Sequence, residues 1–411
     1  ANTDSPVRGY WSRIYFDDST VDSGDNRTRL INCDIAYGGG TYGNIACNNS
    51  SPIIKQCDIR ESGTHGIYII NSSGPVIGGT EDGNTITNNT SYGIYCSNSN
   101  GYPSIINNTI SYNGQYPIRI RAQMNVSGNT MEGNTKQAIE VLDSDITGTV
   151  TWSNQGVPYV LTGNVDVLSS NTTDIASLTI APGVTLKFDA GKSLQIGDKN
   201  DHKATLLADG TEERITFTAN TDSPARGYWG RIFFDDSTVN SVANPTKLIN
   251  CEIAYGGSSQ GNISCYQSSP TIQQCTIRES ANSGIYLDSY TDSTTPTIGG
   301  DAGLGNLIEN NTNYGIYVTG GNTGPYIRNN TISGNGLYPI RVWPFRADRV
   351  GTNIMENNGT QAVEMLGGEV KDTMTWVDPG VPYVVTGNVT VRSAQVNGDP
   401  PVLILAQGVE L

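Results

Sequence analysis

The sequence predicts an all-β solenoid, in which short parallel strands wind as a coil and each pairs with its equivalent one turn on. Three observations predict it: a long repeat that doubles the chain, a short repeat inside each copy, and a composition unsuited to long helices. Charged residues make up 15% of the 411 positions, well below the usual quarter. Gly reaches 48, and Tyr outnumbers Phe 21 to 6. This excess of turn formers over Lys, Glu and Leu argues against three ordinary helical or mixed domains.

The long repeat comes first, because missing it would misassign the whole fold. "ANTDSPVRGYW" at Ala1 returns as "ANTDSPARGYW" at Ala219, and "RIYFDDSTV" at Arg13 as "RIFFDDSTV" at Arg231, both at an offset of 218. "NNTISYNGQYPIR" at Asn107 returns at Asn329, and "GVPYVLTGNV" at Gly156 returns at Gly380, offsets of 222 and 224. The chain therefore reads as two tandem units of about 220 residues, 1–218 and an incomplete 219–411, with a few lengthened loops.

The short repeat lies inside each unit. An apolar residue stands two places after a Cys or Asn in Cys33-Asp34-Ile35, Cys57-Asp58-Ile59, Asn84-Thr85-Ile86, Asn108-Thr109-Ile110 and Asn129-Thr130-Met131, at spacings of 24, 27, 24 and 21. The second unit repeats the series at Cys251, Cys275, Asn306, Asn330 and Asn353. Each is followed by a second phrase, such as "HGIYII" at His65, "YGIYCS" at Tyr92 and "YPIRIR" at Tyr116. These stretches are short, β-branched and alternating, and Gly, Asn, Ser or Pro bounds them. Strands at this period with no helical segment between them give a parallel β-helix of roughly nine coils per unit. Leucine-rich repeats need a regular Leu framework that is absent here.

The stretch "GVTLKFDAGKSLQIGDKNDHKATLLADGTEERITFTANTDSPARGYWGRIFF" from Gly183 resembles the opening coils of right-handed parallel β-helix repeat proteins of the pectate-lyase-like superfamily. The resemblance covers the whole chain. It implies a right-handed coil in a secreted or surface-attached protein, and its members include enzymes, adhesins and structural rods.

Cys33 and Cys57 share a coil position with Asn84, Asn108 and Asn129, as Cys251 and Cys275 do with Asn306, Asn330 and Asn353. Stacked Asn side chains hydrogen-bond along a ladder and satisfy the backbone of the turn. Cys is a small hydrophobe that fits the same slot. These ten residues are therefore read as inward structural rungs. Adjacent rungs fall within disulfide range, but in-register side chains point the same way, which favours buried free thiols.

Several fragments resemble the catalytic motifs of polygalacturonase-type β-helix hydrolases: Asn2-Thr3-Asp4, Asp17-Asp18, Gly63-Thr64-His65-Gly66 and Arg119-Ile120-Arg121. Glycoside hydrolysis needs two carboxylates at a fixed separation, so in a solenoid the groups must fall whole coils apart. Asp4 and Asp17 are about half a coil apart. The second unit keeps Asp235-Asp236 but has Ser283 for His65. His65 is read as an aromatic rung sharing the position of Tyr42, Tyr92 and Tyr116. The arginine base of pectate lyases would fall on Arg119 or Arg341. Each stands in an outward column (Tyr68, Tyr95, Arg119, Glu140; Tyr286, Tyr317, Arg341, Glu364) with a Glu one coil away, a modest cross-strand ion pair. The enzyme reading is therefore set below a non-catalytic one.

Asp17, Asp18, Asp235 and Asp236, in "FDDST", are expected to cap turns through Asx hydrogen bonds, with Ca2+ as their alternative partner. Sequons for N-glycosylation occur at Asn26, Asn71, Asn125, Asn171, Asn262 and Asn388. A net charge of -15 disfavours nucleic acid, and no apolar run approaches the roughly 20 residues of a membrane span. Neither end carries an obvious cap, which predicts axial continuation through further repeats or neighbouring copies stacked end to end. The expectation is a secreted or cell-surface structural rod, an adhesin stalk or filament subunit, with surface polysaccharide as a second partner. A polysaccharide-acting enzyme and a non-catalytic carbohydrate-binding module are the alternatives.

Overall fold

The computed structural model describes residues 3–18, 20, 27–97, 101–290, 294–393 and 399–411. The chain divides into two compact units, Ala1–Val165 with Val184–Lys187, and Asp166–Gly183 with Phe188–Leu411. Both are parallel β-solenoids.

In the first unit three parallel stacks run side by side. The outer stack contains Ile14–Phe16, Gly43–Asn48, His65–Ile70, Ile94–Cys96, Ile118–Arg121, Ile139–Leu142 and Tyr159–Leu161. A second stack joins Arg29–Ile31, Ile53–Lys55, Val76–Gly78, Ser104–Ile106 and Asn125–Ser127; a third joins Asp34–Ala36, Asp58–Arg60, Thr85–Thr87, Thr109–Ser111 and Thr130–Glu132. Register follows the β-branched residues: Ile54 pairs with Ile77 and Ile77 with Ile105, while Ile59, Ile86 and Ile110 pair in the third stack. All six are fully buried, and burying each such side chain contributes about 1.5–3 kcal/mol. Strands this short are marginal alone, so the stacking of like on like sets the register.

The corner between the second and third stacks takes two residues in every coil but the one that carries Asn84, where residues 79–84 intervene. The first adopts the left-handed conformation: Gln56 has φ 53°, Asn107 φ 56° and Gly128 φ 64°. The second is the rung, and its side chain enters the core. Asn84 Oδ1 accepts the Cys57 amide at 3.0 Å, Asn108 Oδ1 the Asn84 amide at 3.0 Å, and Asn129 Oδ1 the Asn108 amide at 2.9 Å. Each Asn also donates backwards, Asn108 Nδ2 reaching the Ile77 carbonyl at 3.0 Å. One amide side chain thus ties its own coil to the coils before and after it.

The second unit repeats the plan. Its stacks include Gly261–Tyr266, Ser283–Asp288, Ile316–Val318, Ile340–Val342 and Val363–Met365 on the outer side. Its rungs bond in the same sense, with Cys275 N–H to Asn306 Oδ1 at 2.9 Å, Asn306 to Asn330 at 3.0 Å, and Asn330 to Asn353 at 3.0 Å. All seven cysteines are free thiols. Cys57, Cys251 and Cys275 are buried; Cys33 is only partly so. Coils vary more than the rung phrases imply, from 20 residues (Ile139 to Tyr159) to 40 (Leu207 to Lys247), because loops bulge between stacks. One 3₁₀ turn, Pro344–Arg349, is the helical segment among the described residues, seeded by Pro344 at its start.

A second ladder escaped the sequence reading. It lies at the end of the third stack, where Asn88, Tyr112 and Gly133 take positive φ and the next residues turn inward. Asn89 Oδ1 accepts the Ser62 amide at 3.0 Å, Asn113 the Asn89 amide at 3.1 Å, and Asn134 the Asn113 amide at 3.0 Å. Asn311, Asn335 and Asn358 do the same in the second unit. The signal was present in the sequence, since each of these Asn stands five residues after a rung Asn.

Replacing Asn108 with Leu is expected to orphan the Asn84 amide and the Ile77 carbonyl and to lower stability by about 1–3 kcal/mol in urea unfolding. Cys57→Asn keeps a rung-compatible side chain, whereas Cys57→Asp buries a charge. The Asp variant should therefore melt well below the Asn variant; equal losses would contradict the ladder.

Candidate functional site

The outer stack of each unit turns alternate side chains away from the core. Register assembles the outward column of the first unit as Tyr15, Ala46, Tyr68, Tyr95, Arg119 and Glu140. The second unit gives Phe233, Ser264, Tyr286, Tyr317, Arg341 and Glu364. The spacing of the strands, near 4.8 Å, brings the rings face to face.

Tyr68 and Tyr95 stack at 5.2 Å with 8° between their planes, and Tyr286 and Tyr317 at 5.5 Å with 17°. The guanidinium of Arg119 lies 4.5 Å from the Tyr95 ring centre, and that of Arg341 4.5 Å from Tyr317. Arg119 Nη1 donates to the Tyr95 hydroxyl at 2.7 Å, and Arg341 makes the same bond to Tyr317. Glu140 stands 3.7 Å from Arg119 Nε and Glu364 3.8 Å from Arg341 Nε, beyond hydrogen-bond length. Tyr314 donates its hydroxyl to Glu364 at 2.8 Å. Burial, and then Glu364, raises the Tyr314 phenol above the ordinary tyrosine value; burial and then Glu140 does so for Tyr92. Both phenols stay protonated donors at neutral pH. Each arginine is thus a fixed cation held between ring, hydroxyl and carboxylate.

His65 belongs to a neighbouring column. Ile67 pairs with Ile94 and Ile94 with Ile118, so His65 aligns with Tyr92 and Tyr116, two residues earlier in each strand. The expected alignment with Tyr42 is corrected: His65 pairs with Gly43, because the first strand carries one more residue between its Tyr and its first inward Ile. His65 stacks on Tyr95 at 4.4 Å, and its Nδ1 accepts the Tyr92 amide at 3.4 Å. Burial, reinforced by Arg119, lowers its pKa to about 4. The ring is therefore neutral at pH 7. Its contacts are rings, an amide and a cation rather than a paired carboxylate.

The remaining sequence candidates lie apart from these columns. Asp17 closes a turn, its carbonyl accepting the Thr20 amide at 3.1 Å. The Asp235 carboxylate accepts the amide of the next residue, Asp236, at 2.9 Å, and burial raises its pKa. Among the described residues no group of three or more His, Cys, Asp or Glu is placed to hold a metal ion. Asn2 and Asn26 lie outside the described residues. Asn71, Asn125, Asn171 and Asn388 are exposed. Asn262 is corrected as a glycosylation candidate: it is 0% exposed, and its Nδ2 donates to the Ile253 and Arg278 carbonyls at 3.3 and 2.8 Å. A glycan there would require the core to open. The buried thiols of Cys96 and Cys265 are pushed up by burial, as is Cys251 by burial and then by Cys275, so they are protonated packing groups.

A family model described as a right-handed β-helix region matches residues 19–173 and 235–363. The chain belongs to this right-handed β-helix family. No curated protein and no solved structure matches it. The two matched segments take in Ala46 to Glu140 of the first outward column and Ser264 to Arg341 of the second. No helix of the described residues is long and apolar enough to cross a membrane.

The depressed pKa of His65 has a pH signature. Below about 6.5 the unfolded chain takes up a proton that the folded ring refuses until about pH 4. This contribution is fully present above pH 6.5 and is lost as pH falls toward 4. Allowing for the ring's partial exposure, it amounts to about 2 kcal/mol. Urea midpoints at pH 7 and pH 4.5 should converge more in His65→Tyr than in the parent; an unchanged pH difference would contradict the assignment.

Proposed function

We propose that this chain is a structural segment of a secreted or cell-surface protein, of the kind that forms adhesin stalks and filaments, and that its outward columns hold glycan without turning it over. The observation that carries this reading is the repeated Tyr–Tyr–Arg–Glu column, with cation-to-ring distances of 4.5 and 4.5 Å in the two units. Inward residues serve stability in any β-helix. An outward column kept in matching geometry while its neighbours change from Tyr15 to Phe233 and from Ala46 to Ser264 supports a task at the surface.

The chemistry favours holding over reacting. Each arginine is engaged by a tyrosine hydroxyl and shares its column with a carboxylate, and each pair of ring faces is packed on the other. What remains for a partner is ring edges, phenol hydroxyls and amides, which bind hydroxyl-rich chains by hydrogen bonds and apolar contact. The tandem repeat supports a role in which length matters, with further units or neighbouring copies extending the display along the axis.

Retention on insoluble polysaccharides tests the reading, with reducing-end and unsaturated-product assays on the same mixtures. The protein should be retained on at least one glycan with no rise in either product. Tyr95→Ala combined with Tyr317→Ala should weaken retention roughly tenfold. Retention on no glycan, or product released in proportion to the protein, would overturn it.

A further inference from the structure

The two outward faces differ in their aromatic rings, and one of these differences coincides with a cavity. The first unit gathers six rings: Tyr42, His65, Tyr68, Tyr92, Tyr95 and Tyr116. At offsets of 218 for the first three and 222 for the rest, the second unit carries Gln260, Ser283, Tyr286, Tyr314, Tyr317 and Tyr338. Four rings are kept, and two neighbouring rings are replaced by smaller polar side chains.

The consequence is local. Tyr68 has Tyr42 at 4.9 Å and Tyr95 at 5.2 Å, with His65 at 5.6 Å. Tyr286 keeps Tyr317 at 5.5 Å, but positions 260 and 283 offer it no ring. An open depression of about 310 Å³ lies there, lined by Gln260, Asn282, Ser283, Tyr286, Asn313 and Tyr314 among others. This volume is at the small end of the range for ligand sites, about 300–1,000 Å³.

The lining is ordered and carries no free charge. Asn313 Nδ2 donates to Asn282 Oδ1 at 3.1 Å, and Asn282 Nδ2 donates to the Gly257 carbonyl at 3.0 Å, which fixes both amides. Gln260 Oε1 accepts from Arg231. The nearby Glu364 carboxylate is occupied by the Tyr314 hydroxyl at 2.8 Å. The depression therefore combines an aromatic wall with fixed amides and a hydroxyl, a lining suited to a ligand that is apolar on one side and rich in neutral hydroxyls at its rim. A pyranose ring has that character.

We propose that this depression is a subsite for one neutral hexopyranose residue of a glycan, and that Tyr42 and His65 fill its counterpart in the first unit. The inference rests on the glycan-holding reading above and adds where, how many and of what charge. One residue binds per chain, in the second unit, against Tyr286.

Calorimetric titration of the full chain with neutral gluco-, manno- and galacto-tetraoses, and with one uronate tetraose, tests it. The parent should bind a neutral tetraose at one site per chain. Gln260→Tyr combined with Ser283→His, which installs the first unit's residues, should weaken binding at least about tenfold. The reciprocal change, Tyr42→Gln with His65→Ser, should create a second site; it keeps the test meaningful if the first variant fails to fold. Two sites in the parent, preference for the uronate, or indifference to both variants would overturn the subsite. Polysaccharide retention that survives Gln260→Tyr with Ser283→His overturns the subsite alone, whereas retention on no glycan overturns the display reading with it.

Discussion

A solenoid of short coils must turn its chain sharply inside every coil, and every turn leaves backbone amides and carbonyls facing a closed core. Water cannot enter to satisfy them, and each unpaired group costs about 1–3 kcal/mol. This molecule meets the constraint with one residue pair used repeatedly. A residue at positive φ redirects the chain, as Asn88 does at 55° and Glu61 at 53°, and the next side chain bends inward to bond the corner above. Asn suits the rung because its amide accepts and donates at once. Asn113 Oδ1 receives the Asn89 amide at 3.1 Å while Asn113 Nδ2 reaches the Ile86 carbonyl at 3.2 Å. Where the rung is Cys, a smaller group fills the slot: the Cys275 amide donates to Asn306 Oδ1 of the next coil at 2.9 Å, and its thiol reaches the Leu248 carbonyl of the coil before at 3.4 Å.

Because the corners and the isoleucine stacks carry the stability, the outward positions are released from it. Tyr68, Tyr95, Arg119 and Glu140 lie in one line since the register of the inward residues lines them up. No loop has to be shaped for the purpose. The same logic explains why the arginines are so well held: a coil spacing near 4.8 Å puts a guanidinium over the ring below it and a carboxylate beside it without any special geometry. The column is a by-product of register that selection can keep or discard residue by residue.

Most of the fold was legible because its signal is periodic. The phrases from Cys33 to Asn129 predicted the first ladder, and the outward column followed from the alternation of "GIYII", "GIYCS" and "PIRIR". Three things were harder. The second ladder was hidden by its neighbours, since "NNT" and "YNG" read as ordinary turn composition. The alignment of His65 with Gly43 depended on one extra residue before Ile45, a change of register that barely alters the text. The burial of Asn262 depended on a bracket across the Ile253 and Arg278 carbonyls, contacts set by the coil and not by the sequon.

The depression beside Tyr286 could not be read from either copy alone, because it is a difference between copies. In a chain whose core is built from inward rungs, exchanging Tyr42 and His65 for Gln260 and Ser283 removes aromatic contact worth about 0.5–1.5 kcal/mol per pair and leaves both Asn ladders untouched. That is a small fraction of what two units bury. Duplication of such a scaffold therefore yields two faces with the same cation, carboxylate and ring spacing, of which one is closed by its own side chains and the other is open. Asymmetry of this kind needs no new fold and no loss of register, only a few changes on the solvent side of a sheet that is held together from within.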